Sequence, residues 1–169
     1  MKPLSYFSSI AAAFLLTLSL QSEPANSQTS LKYVTPPPEP DTKSEAIAIN
    51  KKAIKSFNRN YSTTAPVKWF SSEKMQEAYF VEGGKQNRVY YKPNGKWFRT
   101  LTSYEGSLLN SEIKSLVMQN FSNYEITNVT EVHEGIMHAY FVNIDAAKEF
   151  KQLIVYEGEV WVHQQFRKQ

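Results

Sequence analysis

The hydrophobic pattern of the chain predicts two helices. Residues 46–61 and residues 108–121 carry apolar side chains three and four positions apart, which places these side chains on one face of a helix. Ser44 precedes the first segment, and Asn110 and Ser111 lie at the start of the second. These residue types are typical N-caps, because their side chains accept a hydrogen bond from the first helical turn. The pattern therefore indicates two amphipathic helices, one in each half of the chain after residue 44.

Extended runs after each helix predict strands joined by tight turns. The tetrapeptide Ala-Tyr-Phe-Val occurs at 78–81 and again at 139–142. After each copy, a turn separates two aromatic and β-branched runs, with Asn94-Gly95 in the first case and Glu157-Gly158 in the second. Asn-Gly is a strong hairpin signal, because both residues tolerate positive φ. Gly83-Gly84 lies between two predicted strands with no helix start after it, so it predicts a turn and not a phosphate loop.

The order of these patterns predicts a tandem duplication. Each copy is interpreted as a helix followed by four strands, an α-β-β-β-β unit, over residues 44–107 and 108–169. A unit of about 60 residues buries too little surface to be stable alone, so the two are expected to share a core or a continuous sheet. The sequence thus predicts an α+β fold of two tandem helix-plus-antiparallel-sheet repeats in one compact body. The helices are expected on one face of the sheet, with the other face partly open.

The N-terminal residues have the pattern of an export signal. Lys2 precedes an apolar run at 10–20 that is too short to span a bilayer comfortably. Small residues follow at 25–27, so residues 1–27 are expected to be a signal peptide cleaved near Ser27, with an uncleaved anchor as the alternative. Residues 28–43 contain four prolines between positions 36 and 40 and predict an extended linker. A docking segment for a proline-binding domain is the alternative for this linker.

Cysteine content and charge restrict the compartments in which the protein is expected and the classes of partner that it is expected to bind. The chain contains no cysteine, which excludes disulfides and a lipid-modified cysteine. An exported domain without disulfides favours a bacterial periplasm or exterior, so we expect a periplasmic or secreted protein without stable membrane insertion after cleavage. The net charge is +3, with basic residues scattered and not gathered in a stripe, so nucleic-acid binding is not expected.

The sequence offers no recognisable catalytic constellation. Its serines lie in caps, turns and strand ends without a glycine-flanked nucleophile, and carboxylates such as Glu77 and Glu131 are not framed by a motif. His133 and His138 are five residues apart in or beside one strand, a spacing that predicts opposite faces and argues against a shared metal. His163 is predicted at the end of the last strand. We therefore expect no enzyme activity, no metal and no cofactor; a hydrolase with an unrecognised carboxylate site is the least favoured alternative.

Aromatic residues, 14% of the chain, supply the candidate binding surface. Strand alternation places Tyr90 on the same face as two basic neighbours and therefore toward solvent. Tyr79 and Tyr140 alternate with the Ala and Phe of the repeated tetrapeptide, which are expected to face a helix, so both tyrosines are expected on the open face. With Trp97 they are the candidate partner-binding residues, because Tyr and Trp are typical anchors of protein interfaces. Alternatively, these aromatics cover the sheet edge or pack between the two units.

Three motifs carry a family resemblance. Val67-Lys68-Trp69, Ala78-Tyr79-Phe80 and the hairpin from Tyr91 to Trp97, read as Y-x-x-N-G-K-W, resemble exported bacterial PepSY-like, β-lactamase-inhibitor-like tandem-repeat proteins over about residues 45–167. The second half departs from these motifs, since Asn128-Val129 replaces Lys-Trp and residues 157–160 replace Asn-Gly-Lys-Trp. The resemblance implies a concave sheet surface that binds protein. In β-lactamase inhibitory protein that surface grips an enzyme, and in PepSY domains it is associated with restraint of peptidases.

These observations predict an exported, non-catalytic protein-binding module. Its partner is expected to be a protein or peptide of the cell envelope, and its role that of an inhibitor or regulator of a periplasmic enzyme such as a peptidase or a β-lactamase. The alternative is an envelope sensor that binds a small molecule or a peptide between the two repeats.

Overall fold

The computed structural model of the protein describes residues 48–169. The expected signal peptide at 1–27, the linker at 28–43 and residues 44–47 of the first predicted repeat lie outside the described residues. No helix of the described part is long and apolar enough to cross a membrane.

Two α-helices, a short 3-10 turn and eight strands make up residues 48–169. In chain order they are α1 (Lys51–Asn60), β1 (Lys68–Ser71), β2 (Gln76–Glu82), β3 (Lys85–Tyr91), β4 (Trp97–Glu105), the 3-10 turn (Gly106–Leu108), α2 (Ser111–Asn120), β5 (Glu125–Glu134), β6 (Met137–Asp145), β7 (Glu149–Tyr156) and β8 (Glu159–Arg167).

All eight strands form one sheet in the order in which they occur along the chain, and each is antiparallel to the next. β4 and β5 join the two halves, with pairs running from Arg99–Glu134 to Glu105–Asn128. The predicted fold of two helix-plus-sheet repeats is therefore wrong: residues 48–169 form a single eight-stranded antiparallel sheet with two helices. Pairing β4 with β5 satisfies backbone groups that two separate sheets would leave exposed at their edges.

Both helices begin at an asparagine cap. Asn110 precedes α2 as predicted, and its side-chain oxygen accepts a hydrogen bond from the Ile113 amide at 2.9 Å. α1 begins later than predicted, at Lys51, because Asn50 caps it by accepting from the Lys52 amide at 2.9 Å. The Asn50 side chain also donates to the Pro93 carbonyl at 3.0 Å, which ties the start of α1 to the β3–β4 turn.

Each helix covers one hydrophobic cluster of the sheet. Under α1, buried Ala53 and Phe57 pack on a cluster that comprises Ala78, Phe80, Val89 and Tyr91. Under α2, buried Val117 packs on a larger cluster that comprises Tyr104, Leu109, Val129, Val142, Ile144, Leu153 and Val155.

The strand register places both clusters on one side of the sheet. Val89 pairs with Thr100, and Tyr104 lies four positions further along the same strand, so all three side chains point the same way. We call this side the helix face and the opposite side the open face. The open face carries Tyr79, Arg88, Tyr90, Arg99 and Leu101 among others, and no helix of residues 48–169 packs on it.

The two copies of the repeated tetrapeptide meet the helices in opposite phase. In β2, Ala78 and Phe80 belong to the cluster under α1. In β6, Tyr140 and Val142 pack in the cluster under α2, while Phe141 points to the open face. The expectation that Tyr140 lies on the open face is therefore wrong. The alternation could not show this, because Phe141 and Val142, on opposite faces of β6, are both buried.

Candidate functional site

Two tyrosines of the open face each lie beside an arginine. Tyr79 on β2 pairs with Arg88 on β3, whose guanidinium carbon is 5.5 Å from the centre of the Tyr79 ring. Tyr90 on β3 pairs with Arg99 on β4, and there the distance is 5.2 Å. Both distances lie within the range of cation–π attraction, so each guanidinium helps to hold its ring in place. With Glu77, we call these residues the tyrosine–arginine patch.

The charges of the patch are partly shielded from water. An Arg88 guanidinium nitrogen lies 3.5 Å from a Glu77 carboxylate oxygen, and the side chains are only 19% and 15% exposed. Burial raises the pKa of Glu77, which Arg88 and Tyr90 partly offset. Burial and the nearby Glu77 also raise the pKa of Tyr90, so its hydroxyl remains a hydrogen-bond donor at neutral pH. The patch thus presents fixed donors and aromatic surface that are already partly desolvated.

An apolar stripe continues from the patch across the sheet. Arg88 pairs with Leu101 on β4, Leu101 pairs with Val132 on β5, and Val132 pairs with Ala139 on β6. A second row runs on the same face toward the last strand and comprises Ser103, Thr130, Phe141, Ile154 and Trp161. Tyrosine and arginine are residue types enriched in the centres of protein interfaces, so the patch is the candidate contact surface. Val132, Ala139 and Phe141 are only 1%, 3% and 4% exposed, so they add no exposed apolar surface to it.

The structure brings two of the four candidate partner-binding residues together. Tyr79 and Tyr90 both lie in the patch. Trp97 lies on the helix face, where its indole nitrogen donates to the Thr100 hydroxyl at 3.1 Å and its ring packs against the cluster under α1. Tyr140 also lies on the helix face, within hydrogen-bonding reach of the Asn110 side chain.

Arg88, Arg99 and Glu77 were not among the candidate binding residues, and for Arg99 the strand alternation also predicts the wrong face. A bulge between Tyr90 and Tyr91 shifts the register, so that Tyr91 pairs with Trp97 while Tyr90 pairs with Arg99. Trp97 and Arg99 therefore point to opposite faces although they are two positions apart. Simple alternation places them on one face, and no turn or glycine signal within β4 marks the bulge.

A second group of polar side chains lies on the helix face at the β5–β6 hairpin. His133 pairs with His138, and their rings stack with centres 3.7 Å apart. Their Nε2 atoms lie 3.5 Å and 2.7 Å from the same oxygen, Oε1 of Glu131. The prediction that the two histidines face opposite ways is wrong. They lie on two strands joined by a turn at Gly135, and residues directly opposite each other in a hairpin share a face.

The Glu131 carboxylate is fixed from two sides. Burial alone would raise the pKa of Glu131, but hydrogen bonds from His138, Tyr104 and His133 hold it below its ordinary value. Tyr104 donates its hydroxyl to Oε2 at 3.0 Å, and burial raises the pKa of Tyr104, so this donor persists at neutral pH. Glu131 is therefore an ionised and oriented carboxylate next to two imidazoles.

A cavity of about 420 Å³ lies beside α2. Its walls come from the 3-10 turn, from Lys114 and Met118 of α2, and from Tyr124 to Ile126 at the start of β5. The cavity belongs to the second half of the chain and to the connection that precedes it, and not to a cleft between two repeats. Its position therefore differs from that of the small-ligand site considered from the sequence, which was expected between the two repeats.

No protein-family model matches the chain, and a comparison with curated proteins gives no match. Solved structures do show the class of fold, that of BLIP-like proteins. A BLIP-like protein from Bacteroides fragilis matches with a TM-score of 0.57 at 15% identity, over 72% of this chain and 87% of that one. A DUF2874 family protein from Bacteroides ovatus matches with a TM-score of 0.55 at 18% identity, over 72% and 89%. A protein from Bacteroides eggerthii, proposed to be periplasmic, matches with a TM-score of 0.54 at 20% identity, over 71% and 89%.

These comparisons support the β-lactamase-inhibitor-like resemblance at the level of the fold. They do not extend to the PepSY-like part of the resemblance or to the tandem repeat. Because the identities are low, the similarity concerns architecture and leaves the partner to be argued from the surface of this chain.

Proposed function

We propose that this protein is an exported, non-catalytic binding module whose open face holds a protein partner in the cell envelope. The observation that carries the proposal is the tyrosine–arginine patch. Two tyrosines, each beside an arginine, lie next to one another on a sheet face that no helix of residues 48–169 covers. Tyr and Arg are the residue types enriched among the side chains that dominate binding energy.

The size of the open face favours a protein over a small molecule. Eight strands at about 4.8 Å spacing give a sheet roughly 34 Å wide, and strands of seven to ten residues are about 24–34 Å long. The area spanned by the face is similar to the roughly 800 Å² that each partner contributes to a standard interface. Val132, Ala139 and Phe141 on this face are buried, so these three side chains do not add to the exposed contact surface. Small molecules instead favour enclosed pockets.

The envelope location and the regulatory role rest on other observations. The N-terminal pattern at 1–27 is that of an export signal, and one protein of similar fold is proposed to be periplasmic. The BLIP-like fold favours a role as inhibitor or regulator, and we propose a peptidase or a β-lactamase as the class of target.

The test is to capture the partner from the envelope fraction of the native host and to measure its affinity for variants of the chain. Tyr79→Ala and Tyr90→Ala are each expected to weaken binding by at least about 2 kcal/mol, or roughly 30-fold, because each removes an anchor ring. Isothermal titration calorimetry with the purified partner measures this loss.

Tyr140→Ala is the matched control, because it removes a tyrosine from the helix face. Its affinity for the partner is expected to stay within about threefold of the parent, once circular dichroism shows that the variant is folded. The proposal fails if Tyr140→Ala loses as much affinity as Tyr79→Ala and Tyr90→Ala. It also fails if those two variants bind normally, or if no saturable partner is captured.

A further inference from the structure

We infer that Glu131, His133 and His138 form a binding site for a divalent transition metal of the zinc type. Two imidazoles and one carboxylate are a ligand set that zinc takes in sites where a fourth position stays open to water or to another ligand. The site lies on the helix face, so it is separate from the tyrosine–arginine patch on the open face.

The geometry suits tetrahedral coordination. The candidate ligand atoms of the three residues all lie within 4.8 Å of one another. Bonds of about 2.0–2.1 Å in a tetrahedral arrangement separate ligand atoms by about 3.3 Å. The two imidazole nitrogens lie 3.5 Å and 2.7 Å from the Glu131 oxygen, on either side of that value. Small side-chain rotations therefore bring the three atoms to zinc spacing without a change of the backbone.

The surroundings hold the ligands while leaving them accessible. The hairpin pairs His133 directly with His138, and Tyr104 donates to the Glu131 oxygen that does not face the histidines. Such a hydrogen bond behind a ligand orients it and strengthens metal binding. The side chains of His133 and His138 are 46% and 39% exposed, so an ion can enter from solvent and its open position faces water.

The interpretation without a metal is a carboxylate that accepts hydrogen bonds from two histidines. Titration of ZnCl₂ into the untagged chain by calorimetry separates the two interpretations. We expect one saturable ion per chain, and we expect His133→Ala and His138→Ala each to lower the affinity at least about tenfold. Tyr104 is not one of the three proposed ligands. Tyr104→Phe is nevertheless expected to lower the zinc affinity about tenfold, because it removes the hydrogen bond that orients Glu131.

His163→Ala is the matched control. His163 lies within β8 and not at its end, and its ring meets the Phe141 ring edge-on at 6.1 Å. Its removal is expected to leave zinc affinity unchanged, and Co²⁺ bound to the parent chain is expected to show the visible absorption of a tetrahedral site. Absence of saturable binding by the folded chain overturns the inference, as does equal affinity in the parent and the His138→Ala variant.

Discussion

Gly106→Ala is expected to lower the free energy of unfolding by at least about 3 kcal/mol. Gly106 is buried at the start of the 3-10 turn that leads from β4 toward α2. A Cβ at this position would lie 2.0 Å from the Ile126 carbonyl oxygen and 2.6 Å from its carbonyl carbon. These are backbone atoms of β5, so the clash is relieved only by moving the turn away from the sheet.

Urea denaturation of the Gly106→Ala variant measures the loss, and Gly83→Ala is the control. Gly83 has a φ of +58° in the β2–β3 turn, and a Cβ there meets no atom within 4 Å. Its substitution therefore costs only the left-handed backbone strain of a non-glycine residue, about 1–2 kcal/mol. Equal losses in the two variants would show that the turn does not press against β5 as described.

Phe57→Ala is expected to cost about 3–5 kcal/mol of stability, because it empties the centre of the cluster under α1. The Phe57 side chain is 3% exposed. Its ring stacks on Tyr61 at 5.0 Å and meets the edges of Trp69 and Phe80 at 5.6 Å each. A methyl group cannot fill this volume, and the three neighbouring rings are too rigid to close it.

Ile54→Ala on the same helix is the comparison for Phe57→Ala. Ile54 is 37% exposed, so its truncation is expected to cost no more than about 1 kcal/mol. Thermal and urea denaturation of both variants give the difference. If Phe57→Ala proves no more destabilising than Ile54→Ala, α1 does not close the core that the structure shows.

The elements could be predicted from the sequence because their signals are local. The amphipathic spacing identifies both helices, and Asn110 marks the start of the second. Asn94-Gly95 identifies the β3–β4 turn, where Gly95 has a φ of +81°. That glycine has a second role which no local pattern reveals: a Cβ there would lie 2.7 Å from the Cβ of Lys52 at the start of α1.

Apart from the later start of α1 and the position of His163 within β8, the errors concern contacts between elements. Nothing in the sequence of β4 or β5 shows that they pair with each other, so the prediction of two repeats left open whether they share a core or a continuous sheet. In β6 both faces are buried, and identical tetrapeptides can then face the helices in opposite phase. The bulge beside Tyr91 moves Arg99 to the open face. The turn at Gly135 places His133 and His138 opposite each other, whereas a single strand would separate them.

The central claim is that the open face, and not the helix face, contacts the partner. The most direct test is photo-crosslinking in the native host with two variants of the protein. One carries benzoylphenylalanine in place of Tyr79, and the other carries it in place of Lys55. Lys55 is exposed on α1, on the opposite side of the sheet. The proposed function predicts one discrete crosslinked protein from position 79 and none from position 55. A crosslink from position 55 alone, or from neither position, would contradict it.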